Sequence, residues 1–268
     1  MAGETPLGKQ TEYADQYDPG LLFAIPRADS RDAMGLGNEL PFNGCDIWTA
    51  WEITWLNTAG VPQVASAEIL VPAYSPNLIE SKSLKLYLGS YAMTRIDTLA
   101  SLQRMIEKDL NNCTGDEVEL RLHTDGDDTN LGECDGSCIA NTSAECATYD
   151  VDPTLLKCDG EHVVESLHSH VLRSLCPVTD QPDLGSVMVS YEGPKIDPDS
   201  LLRYIVSFRQ HNDFHEACVE RMFLDISERC GPEKLTVYAR YQRRGGIDIN
   251  PFRSNFEAPP SRLRLRRQ

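Results

Sequence analysis

The sequence predicts an α+β protein built as two tandem modules, each with antiparallel strands and helices packed on one face of the sheet. Three observations carry that prediction. Apolar residues alternate with period two in two separate regions, around 46–71 and 163–191. Each region is followed by apolar residues at helical spacing, within 99–110 in the first case and 198–229 in the second. At roughly 100 to 200 residues per domain, 268 residues suit one large domain or two small ones.

Taken in order, residues 1–40 are rich in Gly, Pro and acids and read as an extended entry segment. Over 46–56 bulky apolar residues alternate with smaller or polar ones, a strand that a turn at 57–62 ends; 63–71 is a second strand, and the two form a hairpin. After the breaker Tyr74-Ser75-Pro76-Asn77 and the polar run at 80–87, Leu99, Leu102, Met105, Ile106 and Leu110 fall on one helical face. These elements set the first module at 41–112. Between 113 and 158 the periodicity fails amid Gly, Asp, Thr and five Cys, so a linker or insertion and the domain boundary are placed there. In the second module, 159–257, strands at 163–175 and 185–191 flank a loop at 176–183 that carries two prolines. A helix at 198–208 has Pro198 in its first turn, and another at 214–229 stops at Gly231. A strand at 235–243 is closed by Gly245-Gly246, and 258–268 is a basic tail with four Arg and no acid over 262–268.

Composition narrows the function. Hydrophobic residues are 41 % and charged residues 25 %, a globular balance that excludes disorder as the dominant state. No run of about 18 apolar residues occurs, and the N-terminus has neither a basic nor an apolar leader region, so the expectation is a soluble, unexported, cytoplasmic protein. Lys plus Arg is 25 against 41 Asp plus Glu, a net charge of −16, which argues against direct nucleic-acid binding through phosphates. Nine Cys is an odd number without a secretory leader, pointing to free thiols, a metal site or catalysis rather than a disulfide scaffold.

Several clusters are suited to chemistry. Cys176 stands where a strand gives way to a Pro-rich loop, a rigid edge that suits a nucleophilic thiol, and Asp183 is close enough in sequence to act as its proton donor. His211 to Glu216 interrupts two helices with ionisable residues; either it is a ligand edge, or Asp213 caps the second helix and His215 and Glu216 face solvent. Lys82 and Lys85 could face a phosphate, and Arg243-Arg244-Gly245-Gly246 sets cations beside approachable backbone. Neither a G-x-G-x-x-G nor a G-x-x-x-x-G-K-[ST] motif is present, so a nucleotide would bind outside a Rossmann or P-loop frame. Cys134-x3-Cys138-x7-Cys146 resembles half a zinc site but lacks a partner pair, and the Asp-rich stretch at 125–130 fails as a calcium loop because Asn130 stands where Gly is needed.

Four blocks together resemble the QueF-type nitrile reductases, the 7-cyano-7-deazaguanine reductases. They are Glu80-Ser81-Lys82-Ser83-Leu84-Lys85-Leu86-Tyr87, the segment from Ser174 to Ser186 around Cys176, the segment from Phe208 to Arg221, and that from Tyr241 to Pro251. The resemblance covers roughly 10–112 and 160–257, and the length matches the family's long form. It implies tandem tunnelling-fold modules in a homodimer that reduces 7-cyano-7-deazaguanine to the primary amine on the route to the tRNA base queuosine, with two NADPH per product, no metal and no membrane. Carried over by residue, it implies Cys176 as the nucleophile that forms a thioimide and Asp183 as the proton donor. It also implies Ile79, Glu80, Ser81, His215 and Glu216 around the substrate, and Ser81, Lys82, Arg244 and Gly245 around NADPH. The alternatives are a GTP cyclohydrolase-like hydrolase of the same fold, which would need zinc, and a non-catalytic purine- or pterin-binding module.

Overall fold

A computed structural model describes residues 13–37, 39–124, 131–260 and 263–268. The chain forms two units interleaved along the sequence: Met1–Gly37, Asp46–Asp128 and Arg243–Asp248 make the first, and Asn38–Cys45, Thr129–Gln242 and Ile249–Gln268 the second.

In the first unit, β1 (Ala24–Pro26) leads into the short helix α1 (Ala28–Ala33). The hairpin foreseen from period-two alternation is β2 (Asn43–Leu56) and β3 (Pro62–Pro72). Its turn is held by Asn57, whose Oδ1 accepts from the amides of Ala59 and Val61 at 3.0 Å each. β4 (Asn77–Ile79) pairs antiparallel with β1 and runs directly into α2 (Ser81–Gly89). Helix α3 (Leu99–Thr114) begins where Thr98 accepts from the Ser101 amide at 3.1 Å and ends at Gly115, whose φ of +78° is left-handed. Of its predicted stripe, Leu102, Ile106 and Leu110 are fully buried, while Leu99 and Met105 are half-buried. β5 (Glu119–His123) pairs antiparallel with β3, Ile69 opposite Leu120, and gives this unit the strand order β5-β3-β2.

The second unit carries β6 (Ser137–Cys138), the long hairpin β7 (Cys158–Leu175) and β8 (Pro182–Ile196), helices α4 (Pro198–Ser207) and α5 (His215–Cys230), then β9 (Lys234–Tyr241) and β10 (Ile247–Ser254). The strand order is β10-β9-β8-β7-β6, antiparallel except for the parallel β6–β7 edge. Asp197 caps α4 by accepting from the Asp199 amide at 3.2 Å, with Pro198 filling the first turn where a missing N–H costs nothing. Helix α5 buries Val219, Met222, Phe223 and Ile226 and stops at Gly231, φ +61°. Glu220, also buried on α5, accepts from Arg253 Nε at 3.1 Å and Nη2 at 2.8 Å, and Arg253 in turn donates to the Cys45 and Phe252 carbonyls.

The structure corrects several local expectations. Residues 13–37 contain β1 and α1 rather than a featureless entry, and β5 and β6 lie inside the stretch where periodicity failed. β5 does alternate, with Leu120 and Leu122 between Glu119, Arg121 and His123, but it is only five residues long inside a polar stretch, and β6 is two exposed residues. β10 escaped notice although Ile247, Asp248, Ile249 and Asn250 alternate, because Pro251 breaks the run and a proline argues against an interior strand. Asp213 does not cap α5: the N-cap is Phe214, whose amide donates to Asp213 Oδ1 at 2.8 Å. The segment at 125–130, residues 1–12 and Arg262 lie outside the described residues. Among the described residues no helix is long and apolar enough to cross a membrane.

Candidate active site

In the second unit the β7–β8 hairpin sets the register. Ser174 pairs with Asp183 and Leu175 with Pro182, and Cys176 continues the ladder with its amide donating to the Gln181 carbonyl at 3.0 Å. Pleating therefore puts Cys176 on the same face as Ser174 and Asp183, and makes Cys176 and Asp183 diagonal neighbours about 7–8 Å apart. The tip is tight: the Asp180 amide donates back to the Cys176 carbonyl at 3.0 Å, and Asp180 takes a left-handed φ of +54°. Leu175 is clamped from the side, its amide donating to the His211 carbonyl at 2.8 Å and its carbonyl accepting from the Asp213 amide at 3.1 Å. The hairpin tip and the entry to α5 are thus fixed to one another.

That clamp brings α5 onto the hairpin. Asp183 is only 4 % exposed, and its Oδ2 lies 3.2 Å from His215 Nε2. The His215 ring stacks on Tyr241 with centroids 3.8 Å apart and planes within 11°. His215 Nδ1 is buried and has no hydrogen-bond partner among the described residues. Glu216 is buried in the first turn of α5, where the helix dipole favours an anion. The solvent-facing alternative for His215 and Glu216 is therefore not what the chain adopts. Cys218, one turn on, is fully buried, and burial, with the charges of Asp213 and Asp183 adding to it, pushes its thiol far up; Cys176 is the half-buried thiol of this neighbourhood.

In the first unit, Ile79 and Glu80 are buried at the junction of β4 and α2. Glu80 is the N-cap of α2: Oε1 accepts from the Lys82 amide at 2.9 Å and Oε2 from the Ser83 amide at 2.7 Å. Burial raises the Glu80 pKa, and those two amides pull it back. Ser81 and Lys82 open the same helix. Arg244 and Ile247 face each other across a two-residue turn in which Gly245 (φ +60°) and Gly246 (φ +82°) both take left-handed conformations, as a primed hairpin turn requires. A Cβ on Gly245 would stand 3.3 Å from Lys85 Cδ, so α2 and this turn adjoin and their cations share one area. Arg243 lies over the Trp51 ring at 5.3 Å, and Trp51 Nε1 donates to Asp248 at 2.6 Å.

Two family descriptions match the chain: "Nitrile reductase, 7-cyano-7-deazaguanine-reductase N-term" over residues 13–122 and "QueF-like protein" over 182–260. The chain belongs to the QueF nitrile reductase family. Among its relatives, the NADPH-dependent 7-cyano-7-deazaguanine reductase of Burkholderia orbicola (strain MC0-3) is 52 % identical over 271 residues, covering 98 % of each chain. That of Burkholderia multivorans (strain ATCC 17616 / 249) is 51 % identical over 269 residues with the same coverage, and that of Paraburkholderia phymatum (strain DSM 17167 / CIP 108236 / LMG 21445 / STM815) 49 % over 270, covering 99 % of this chain and 98 % of its own. As a QueF chain it carries Ile79, Glu80, Ser81 and Lys82 within the first matched segment and Asp183, His215, Glu216, Arg244 and Gly245 within the second, while Cys176 lies just before it. The α+β class expected of tandem QueF modules is the one observed. Sequence reasoning missed Tyr241 as the platform for His215 and Trp51 and Asp248 beside the Arg243 turn; the aromatic residues read as core, and only the fold shows what they touch.

Proposed function

We propose that this chain reduces the nitrile of 7-cyano-7-deazaguanine to the primary amine of 7-aminomethyl-7-deazaguanine with NADPH, through a covalent thioimide on Cys176. The observation that carries this reading is a half-buried thiol at a rigid hairpin tip together with Asp183 on the same hairpin, buried against His215 of α5. The Cys176 thiol adds across the carbon–nitrogen triple bond: the S–H bond breaks and sulfur bonds to carbon, Asp183 delivers a proton to nitrogen and is restored by the proton that left sulfur, and the group becomes C(=NH)–S. Bound NADPH supplies hydride, two equivalents for the four electrons between nitrile and amine. Cleavage of the C–S bond returns Cys176 as thiolate, and Asp183, with His215 Nε2 at 3.2 Å, handles the protons of the remaining steps. The unpartnered His215 Nδ1 is a buried polar atom that a polar ligand would satisfy.

Glu216 has the chemistry to accept the adjacent N–H donors of a guanine-like edge with both carboxylate oxygens. Glu80 carries the same assignment, with Ile79 and Ser81; each of its oxygens keeps a lone pair beyond the capping bond. Ser81, Lys82, Arg244 and Gly245 are assigned to NADPH. The fit rests on the Gly245-Gly246 turn, which leaves the backbone open to phosphate, and on the adjoining Lys85 and Arg244 cations. A homodimer acting in the cytoplasm, without direct contact with nucleic acid, completes the proposal, and the net charge of −16 supports its last part.

NADPH consumption measured against amine formed tests the reaction, and a ratio of two is expected. Intact-mass analysis with substrate alone tests the route: wild type gains the mass of the nitrile and Cys176→Ala does not. Absence of NADPH oxidation sinks the assignment, and an adduct that survives in Cys176→Ala removes Cys176 from it. Light scattering at twice the chain mass checks the dimer.

A further inference from the structure

The outer edge of the second unit holds a cluster that the nitrile chemistry does not use. Strand β6 pairs parallel with β7 so that Cys138 stands opposite His168, and His170 follows two residues along β7. One ligand atom of each of Cys138, His168 and His170 lies within 4.8 Å of the others. The segment is seated firmly. Gly136, at φ +76°, passes so close to Ser166 that any side chain there would overlap the Ser166 carbonyl, and the Ile139 amide donates to the His168 carbonyl at 2.9 Å.

Each of the two imidazoles is held through Nδ1. His168 Nδ1 lies 2.9 Å from the Asp135 carbonyl, an oxygen that can only accept; Nδ1 therefore carries the proton and Nε2 keeps its lone pair. His170 Nδ1 lies 2.8 Å from Ser186 Oγ, a bond that fixes the ring and directs Nε2 away from it. The register of β7 and β8 slips between Ser169 and Leu172, a bulge of the kind that re-aims a side chain. All three residues line a cavity of about 630 Å³ that also holds Cys134, a further donor of the same class.

We propose that Cys138, His168 and His170 form a zinc site. One thiolate and two imidazoles are the ligand class that favours zinc over hard cations, and a tetrahedral ion needs one further ligand, which Cys134 or water supplies. The proposed role is structural: the ion would pin the short β6 edge to β7. It is separate from the reaction, because Cys176 lies six residues beyond His170, just past the end of β7, about 20 Å along extended chain. The proposal departs from the expectation of no metal, which set the resemblance against the Cys134–Cys138 pattern before His168 and His170 could be placed beside it. Sequence scanning saw Cys134 and Cys138 as half a site because the other half, His168-x-His170, sits thirty residues on with strand spacing rather than the helical H-x3–5-H spacing.

Titration of the metal-stripped full-length chain with Co²⁺ tests the site. The expected result is saturation at about one ion per chain with tetrahedral d–d bands and a thiolate charge-transfer band, reversed by Zn²⁺. Cys138→Ser and His170→Gln should each weaken binding at least about tenfold, while NADPH oxidation with the nitrile substrate continues. The site is overturned by a wild type that shows no saturable tetrahedral spectrum, or by variants that bind as wild type does.

Discussion

Asp183 is nearly sealed from solvent, with Oδ2 3.2 Å from His215 Nε2, and the proposed function makes it the proton donor. Replacing it with Asn keeps the volume and removes the acid. Asp183→Asn should lower turnover by about 10²–10⁴, with little change in thermal midpoint; NADPH oxidation and a melting curve on the same preparation check it, and near-normal turnover removes Asp183 from the mechanism. His211 offers a pH test that is independent of catalysis. Burial lowers its pKa from 6.5, opposed by Asp213 and reinforced by Arg221. The native ring stays neutral where the unfolded chain binds a proton, so stability is present above pH 6.5 and declines as pH falls below it. Urea midpoints measured from pH 7.5 down to 5 should decline more steeply in wild type than in His211→Gln. At this scale Cys176, Asp183 and Glu216 were singled out by the blocks that resemble the family's motifs. Tyr241 was not, because nothing local distinguishes an aromatic platform from an aromatic core residue.

Helix α2 illustrates what can be read of an element. Its residues appeared first as a polar run of functional interest, yet Glu80 also holds the helix start through the Lys82 and Ser83 amides. Glu80→Ala should therefore cost about 0.5–2 kcal/mol of stability in addition to weakening substrate binding, and a denaturant midpoint unchanged from wild type would show that the cap contributes nothing. Elements with one wet face, such as β2, β3, α3, α4 and α5, were visible from their period. Others were hidden: β10 carries Pro251 inside it, and β5 and β6 are short pieces that exist because a neighbouring strand supplies their hydrogen bonds.

Across the molecule the chain returns on itself in ways that no local period encodes. Arg253, fully buried, pairs with Glu220 and also donates to the carbonyl of Cys45, 208 residues away in sequence. Arg253→Met should destabilise by about 3–5 kcal/mol by taking the guanidinium away from the buried Glu220 carboxylate, and Arg253→Met with Glu220→Leu should recover most of that loss; chemical denaturation of the three proteins decides it. The sequence by itself determined the fold class, the main strands and helices and the four family blocks, because period, turn residues and motif identity are properties of neighbouring residues. Tertiary structure alone decided that residues 243–248 join the first unit, that His215 meets Asp183, and that Cys138 stands beside His168. Those contacts depend on strand register and on where distant segments return, and a shift of one residue in register would undo them without altering any local pattern.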